Sequence, residues 1–158
     1  DELVANYGTD VYLLNSSANL TISQDRAEGF CEQCAKHGVD GSGRVFFSDA
    51  CTEDDGLAIA RGLVKRGSVF ITANEGLAKG VYDAVEQAGL TVGTDVGVFA
   101  LGRSIEHGHF APKLSYARQS YETLGKIAVG ALINEIRTGE KTTRLVDSEV
   151  VFRDSTQK

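Results

Sequence analysis

Short apolar runs alternate with amphipathic stretches through the first hundred residues, and this rhythm restricts the chain to one fold class. Val11-Tyr12-Leu13-Leu14, Arg44-Val45-Phe46-Phe47-Ser48, Val69-Phe70-Ile71-Thr72 and Val96-Gly97-Val98-Phe99-Ala100-Leu101 read as strands. Between the first two, Ala27, Phe30, Cys31 and Cys34 fall at i, i+3, i+4 and i+7, one face of a helix over 23–37, and Gly38 sits where a helix stops. Leu57, Ala60, Leu63 and Val64 stripe a second helix, which opens on Thr52-Glu53-Asp54-Asp55 and runs to Gly67. The spacing Thr72-Ala73-Asn74-Glu75 predicts a capping box and a third helix to about Gln87. Strands that alternate with helices of about 10–15 residues form a parallel sheet. Their continuous apolarity requires helices on both faces. The expected fold is therefore α/β, a doubly wound parallel sheet.

The last third breaks the rhythm. Residues 102–113 form a polar loop with two of the three histidines and the only proline, Pro112. Leu114-Ser115-Tyr116-Ala117 is a short strand, expected as an exposed edge. A helix over 121–137 carries Leu124, Ala128, Leu132 and Ile136 at steps of four, and Gly139 stops it. Glu149-Val150-Val151-Phe152-Arg153 is the final strand.

At 158 residues the chain suits one domain without disulfide staples. No apolar run approaches the roughly 18 residues of a membrane span. Lys+Arg 16 against Asp+Glu 22 gives a net charge of −6 with no basic block, a poor basis for nucleic-acid binding by this chain alone. Methionine is absent, and the opening Asp1-Glu2-Leu3-Val4-Ala5-Asn6-Tyr7 reads as the end of a helix, so a piece of a longer protein is expected. Three cysteines with one close pair make no disulfide framework and point to a reducing compartment.

In an open parallel sheet, ligands bind beyond the carboxyl ends of the strands. That edge receives Asn15, Ser16 and Ser17 from the first strand, with Arg26 early in the next helix. It also receives Ser48 and Asp49, then Thr72 and Asn74, then Gly102, Arg103 and Ser104. The candidate ligand-contacting set is Asn15, Ser17, Arg26, Asp49, Asn74 and Arg103. Amides bond sugar hydroxyls in both senses and guanidinium groups bond phosphate bidentately, so the set suits a polyhydroxylated or phosphorylated small molecule. The alternative is that these are ordinary turn and cap residues.

Other motifs carry less. Cys31-Glu32-Gln33-Cys34 has the spacing of a redox pair but lies mid-helix on an apolar face, away from the helix N-terminus that would activate a thiol. His37 faces away from Cys31, which leaves no zinc set, and His107-Gly108-His109 has no third ligand by spacing. Glu53, Asp54 and Asp55 complement a helix dipole. There is no glycine-rich phosphate loop and no serine elbow. Neither enzyme activity nor a metal or cofactor is expected.

Several stretches resemble the lactose-repressor (LacI/GalR) family of bacterial transcription regulators. Val69-Phe70-Ile71-Thr72-Ala73-Asn74-Glu75-Gly76-Leu77-Ala78-Lys79-Gly80 is similar to its strand–AND–helix signature. Gln87-Ala88-Gly89-Leu90-Thr91-Val92-Gly93-Thr94-Asp95-Val96-Gly97-Val98 resembles the segment that follows it. Ser23-Gln24-Asp25-Arg26-Ala27-Glu28-Gly29-Phe30 resembles an effector-contacting helix start. Residues 114–124 resemble the return into an amino-terminal subdomain, and 150–156 the final strand. Gly80-Val81-Tyr82-Asp83 and Leu101-Gly102 are similar to the fructose repressor (catabolite repressor/activator) and sucrose repressor branch. Two departures stand out. Ser120 replaces a proline before the return helix. Arg103 stands near the position of a sugar-binding acid, which suits a sugar phosphate.

The resemblance implies one subdomain of a periplasmic-binding-protein-like type I fold. Residues 1–113 would form the carboxyl-terminal effector-binding subdomain. Residues 114–141 would form a strand and helix returning to the amino-terminal subdomain, and 142–158 the final strand and tail. It implies a cytoplasmic, homodimeric, sugar-responsive regulator that touches DNA only through an amino-terminal domain and no membrane. A periplasmic sugar-binding protein of a transport system is the alternative on the same fold. An enzyme on a flavodoxin-like sheet is the third reading, and fold alone separates none of them.

Overall fold

The computed structural model describes residues 1–102 and 110–157. Six strands form one sheet: β1 (Val11–Asn15), β2 (Val45–Phe47), β3 (Val69–Thr72), β4 (Gly97–Gly102), β5 (Ser115–Arg118) and β6 (Glu149–Val151). Their order is β2-β1-β3-β4-β5-β6. The first five are parallel, and β6 pairs antiparallel with β5. The helices are α1 (Glu2–Tyr7), α2 (Thr21–Lys36), α3 (Glu53–Ala60), α4 (Glu75–Gln87) and α5 (Tyr121–Thr138). This is the doubly wound α/β sheet that the alternation predicts. Among the described residues, no helix is long and apolar enough to cross a membrane.

Alternate residues of each strand feed two separate layers. Leu14, Phe70, Val98 and Ala100 pack under α3 and α4 with Leu77, Val81 and Val85. Val11 and Val69 pack on the other face with Tyr7 of α1 and Phe30 of α2. The α3–α4 seam is tight. A Cβ on Gly56 would lie 2.3 Å from the Leu77 carbonyl oxygen, and one on Gly80 would lie 2.1 Å from that of Glu53. Only glycine admits two helix backbones at this separation.

Several boundaries differ from the sequence reading. Helix α2 begins at Thr21, two residues before Ser23. Helix α3 ends at Ala60, where Leu63 and Val64 both turn back to the Ala60 carbonyl at 2.8 and 3.0 Å. Those two side chains still reach the core, so the apolar stripe outlasts the helix. Asn74, not Thr72, caps α4. Thr72 remains in the strand and donates to the Asn74 carbonyl at 3.0 Å. The strand expected at an exposed edge is interior: β5 lies between β4 and β6, and Leu114, Ser115 and Tyr116 are buried.

The tail locks that strand in place. The Ser155 hydroxyl donates to the Val98 carbonyl at 2.6 Å and accepts from the Ser115 N–H at 2.8 Å. Ser115 Oγ and Thr156 Oγ1 lie 2.6 Å apart, both buried. Helix α5 stands off from all of this. Ser120 caps its start, Gly139 ends it in the left-handed conformation, and none of its residues is buried. Val129 is 58% exposed and Ile136 75%.

Two outcomes follow from this packing. Gly80→Ala should destabilise the domain by about 1–3 kcal/mol through overpacking. Gly29→Ala, in α2 with nothing within 4 Å of the added Cβ, should be neutral or stabilising by up to about 1 kcal/mol. Urea midpoints measure both, and equal midpoints would contradict the seam. The 158-residue chain should also self-associate through α5, because burying Leu132, Ile133 and Ile136 is worth roughly 1.5–3 kcal/mol each. Sedimentation should show concentration-dependent species that Leu132→Glu abolishes; a wild-type chain that stays monomeric would refute this.

Candidate functional site

The carboxyl ends of β1, β2, β3 and β4 converge on one edge of the sheet, and most of the candidate residues are described there. Asn15 ends β1 and is fully buried. Its amide donates to the Ser23 carbonyl at 2.7 Å, and its Oδ1 accepts from the Ser16 N–H at 3.0 Å. Ser16 and Ser23 hydroxyls lie 2.7 Å apart. Asn15 thus shapes the β1–α2 loop, which carries the half-buried Ser17.

The β2–α3 loop is fixed by Asp55. Its carboxylate accepts from the Ser48 hydroxyl at 2.8 Å and the Thr52 N–H at 3.1 Å, and Thr52 Oγ1 accepts from the Asp55 N–H at 3.2 Å. This capping box turns the chain through Cys51, which adopts φ 54, a left-handed conformation uncommon outside glycine. The Cys51 N–H donates to Ser48 Oγ at 2.8 Å. Asn74 then joins this loop to α4. Its Oδ1 accepts from the Leu77 N–H at 2.9 Å, and its Nδ2 donates to the Cys51 carbonyl at 3.0 Å.

Arg26 projects from the second turn of α2 and makes no hydrogen bond or ion pair among the described residues. Burial pushes its guanidinium below the ordinary value, an effect opposed by the Tyr121 and Cys51 side chains nearby. Cys51 and Tyr121 are thus close enough to influence the Arg26 guanidinium, Asn74 bonds the Cys51 carbonyl, and the exposed Asp49 is close enough to influence the Cys51 thiol. Arg103, Ser104, His107 and His109 lie outside the described residues. Beside Arg26 an apolar groove of about 270 Å³ runs between α1 and α2, walled by Leu13, Phe30, Ile71 and Leu101.

The sequence reading missed Cys51 and Tyr121. Neither carries a local signal; the sheet order brings a β2 loop and the start of α5 to the edge that holds Arg26. Cys31 and Cys34 are free thiols. Cys34 is buried, and burial pushes its thiol up, away from the reactive range. Among the described residues, no group of three His, Cys, Asp or Glu side chains could hold a metal ion.

A six-stranded, mostly parallel sheet with its polar loops gathered at the carboxyl edge is the architecture of periplasmic-binding-protein-like domains. The profile of the periplasmic binding protein-like domain family matches residues 4–156, and the chain belongs to that family. It is 26% identical over 156 residues to the HTH-type transcriptional regulator AglR of Rhizobium meliloti (strain 1021), covering 92% of this chain and 43% of that protein. It is 28% identical over 94 residues to a lactose operon repressor of Rhizobium radiobacter, covering 59% of this chain and 83% of the relative. The Lac repressor dimer bound to operator and the anti-inducer ONPF superposes with a TM-score of 0.85 at 20% identity, covering 99% of this chain and 48% of that one. The chain thus spans less than half the length of AglR and of that repressor chain.

The Asp55 capping box sets a pH dependence. The Thr52 N–H, with the Ser48 and Thr52 hydroxyls, holds the Asp55 carboxylate below its ordinary range. A carboxylate depressed by folding stabilises the fold above its unfolded value of about 3.9 and loses that contribution as pH falls through the folded value. Asp55→Asn should lower the urea midpoint at pH 7 and bring it closer to wild type below about pH 3. An equal gap at both pH values would contradict this role.

Proposed function

We propose that this chain is the effector-sensing part of a sugar-responsive, DNA-binding transcription regulator, and that it takes a sugar or sugar phosphate at the Arg26 edge. Arg26 carries the reading: a half-buried guanidinium without a counter-charge among the described residues, close enough to Tyr121 and Cys51 for both to influence it. Sugar hydroxyls or a phosphate would supply the acceptors that the guanidinium lacks. Asn15, Ser17, Asp49, Asn74 and Arg103 complete the proposed site, Asn15 and Asn74 mainly by holding its loops. Residues 114–141 act with an amino-terminal subdomain in this reading.

The named relatives support a regulator. AglR is a transcriptional regulator, the Rhizobium radiobacter protein is a lactose operon repressor, and the Lac repressor structure is a dimer on its operator with a small molecule bound. Contact with DNA would come from residues outside this chain, which accords with its net charge of −6. A homodimer in the cytoplasm, without catalytic activity, follows from the same reading. None of these relatives is a transport protein, so the periplasmic sugar-binding alternative is not favoured. None is named for fructose or sucrose, so the finer branch gains no support.

The test uses the full regulator that contains this chain. Arg26→Ala should raise the effector concentration for operator release by about 10–100-fold, the loss expected for a charged hydrogen bond to a ligand. Operator affinity without effector should be unchanged. Titration with a panel of sugars and sugar phosphates in a mobility-shift assay measures both, and an unaltered response would reject the site. The 158-residue chain by itself should show no specific binding to duplex DNA.

A further inference from the structure

The two faces of the sheet are closed unequally. The layer under α3 and α4 is built on many buried side chains, from Leu14 to Tyr116, whereas the opposite layer centres on Tyr7, Val11 and Val69. On that second face Leu3, Val4, Phe30, Ile71 and Leu101 stay half-buried and wall the groove of about 270 Å³ between α1 and α2. The groove follows α2, because Arg26, Gly29, Phe30, Gln33, Cys34 and His37 all line it and recur at steps of three and four. Charged groups sit at opposite ends of that row. The Asp1 carboxylate, the one acid among the lining residues, accepts from the Gln33 amide at 2.5 Å and lies 2.9 Å from His37 Nε2. Arg26, at the other end, is half-buried and makes no hydrogen bond or ion pair among the described residues.

Dimensions and charge together select the occupant. From Arg26 to Cys34 the helix rises about 12 Å. A volume of about 270 Å³ over that length leaves a section roughly 5 Å across, room for one extended chain and too narrow for a helix of about 10–12 Å. A wholly apolar guest would cover Arg26 and leave its charge unpaired, which costs free energy. A carboxylate instead meets a guanidinium through two parallel hydrogen bonds. We propose that this groove binds a medium-chain carboxylate, with the carboxylate on Arg26 and the alkyl chain laid along Phe30 toward Cys34. An extended chain advances about 1.2 Å per bond, so about eight to ten carbons fill the distance. The site shares Arg26 with the proposed effector edge and does not depend on a sugar.

Titration of the 158-residue chain with n-alkyl carboxylates, followed by NMR at pH 7, tests the groove without any sugar. Affinity should rise by up to about four-fold per added methylene from butanoate to octanoate, the value of one buried methylene, and level off beyond about ten carbons. Arg26→Gln should weaken octanoate about 10–100-fold and leave 1-octanol unchanged. Gly29 lines the groove and an added Cβ there meets nothing within 4 Å, so Gly29→Leu should fold normally and abolish the dependence on chain length. Leu132→Glu, which breaks the apolar stripe of α5, should bind octanoate as wild type does; binding lost there would assign the acid to α5 and overturn the proposal. The full regulator should bind octanoate with the same dependence on Arg26. Binding to the 158-residue chain alone would mean that other residues cover the groove, and would overturn the proposal. Equal affinity for butanoate and octanoate, or an unmoved affinity in Arg26→Gln, would overturn it too. The sugar reading fails separately, by an unaltered sugar response in Arg26→Ala.

Discussion

The glycine seam between α3 and α4 sets the position of almost everything at the carboxyl edge. Gly56 and Gly80 let the two backbones touch, and a Cβ on Gly76 would meet the Cys51 carbonyl oxygen at 2.6 Å. This approach brings the β2–α3 loop against the start of α4. Only there can the Asn74 amide reach the Cys51 carbonyl while its oxygen caps α4. A methyl group anywhere on the seam would push α3 outward and carry the loop with it. The shape of the candidate site is thus decided in part by backbone packing between α3 and α4.

A second constraint comes from polar burial. Asn15, Ser115, Ser155 and Thr156 are all buried, and each finds a partner at hydrogen-bonding distance. Unpaired, each would cost free energy, so these groups select one arrangement of loop and tail over near alternatives. The hydroxyl cluster also explains why β5 is interior. The tail beyond β6 covers it and bonds through it to β4, giving the strand a partner on each side. The apolar stripe of α5 has no such closure among the described residues.

Strand positions were legible because continuous apolar runs flanked by turn residues have few other uses. Helix ends were less so. The stripe through Leu63 and Val64 continues past α3 because a turn buries the same side chains that a helix would. Thr72 and Asn74 both look like caps, and only the length of β3 decides between them. The site was legible as an edge rather than as a set of partners. Asn15 and Asn74 have side chains any sugar could use, yet a sequence cannot show that loop backbone already occupies them. Cys51 takes a positive φ without being glycine, and Tyr121 reaches Arg26 from almost a hundred residues away, so neither leaves a local trace.

Among the described residues of this edge, Arg26 is a half-buried cation that makes no hydrogen bond or ion pair. The amides and hydroxyls there are largely satisfied by their own loops, and Asp55 is engaged by its capping box. Arg26 is partly desolvated, which disfavours its charge, and the opposing influences on it come only from a phenol and a thiol. Burial also pushes the Cys51 thiol up, which favours its neutral form. Within the described residues the guanidinium therefore keeps its charge without a counter-charge. In the function proposed above, a ligand oxygen at Arg26 would relieve that deficit.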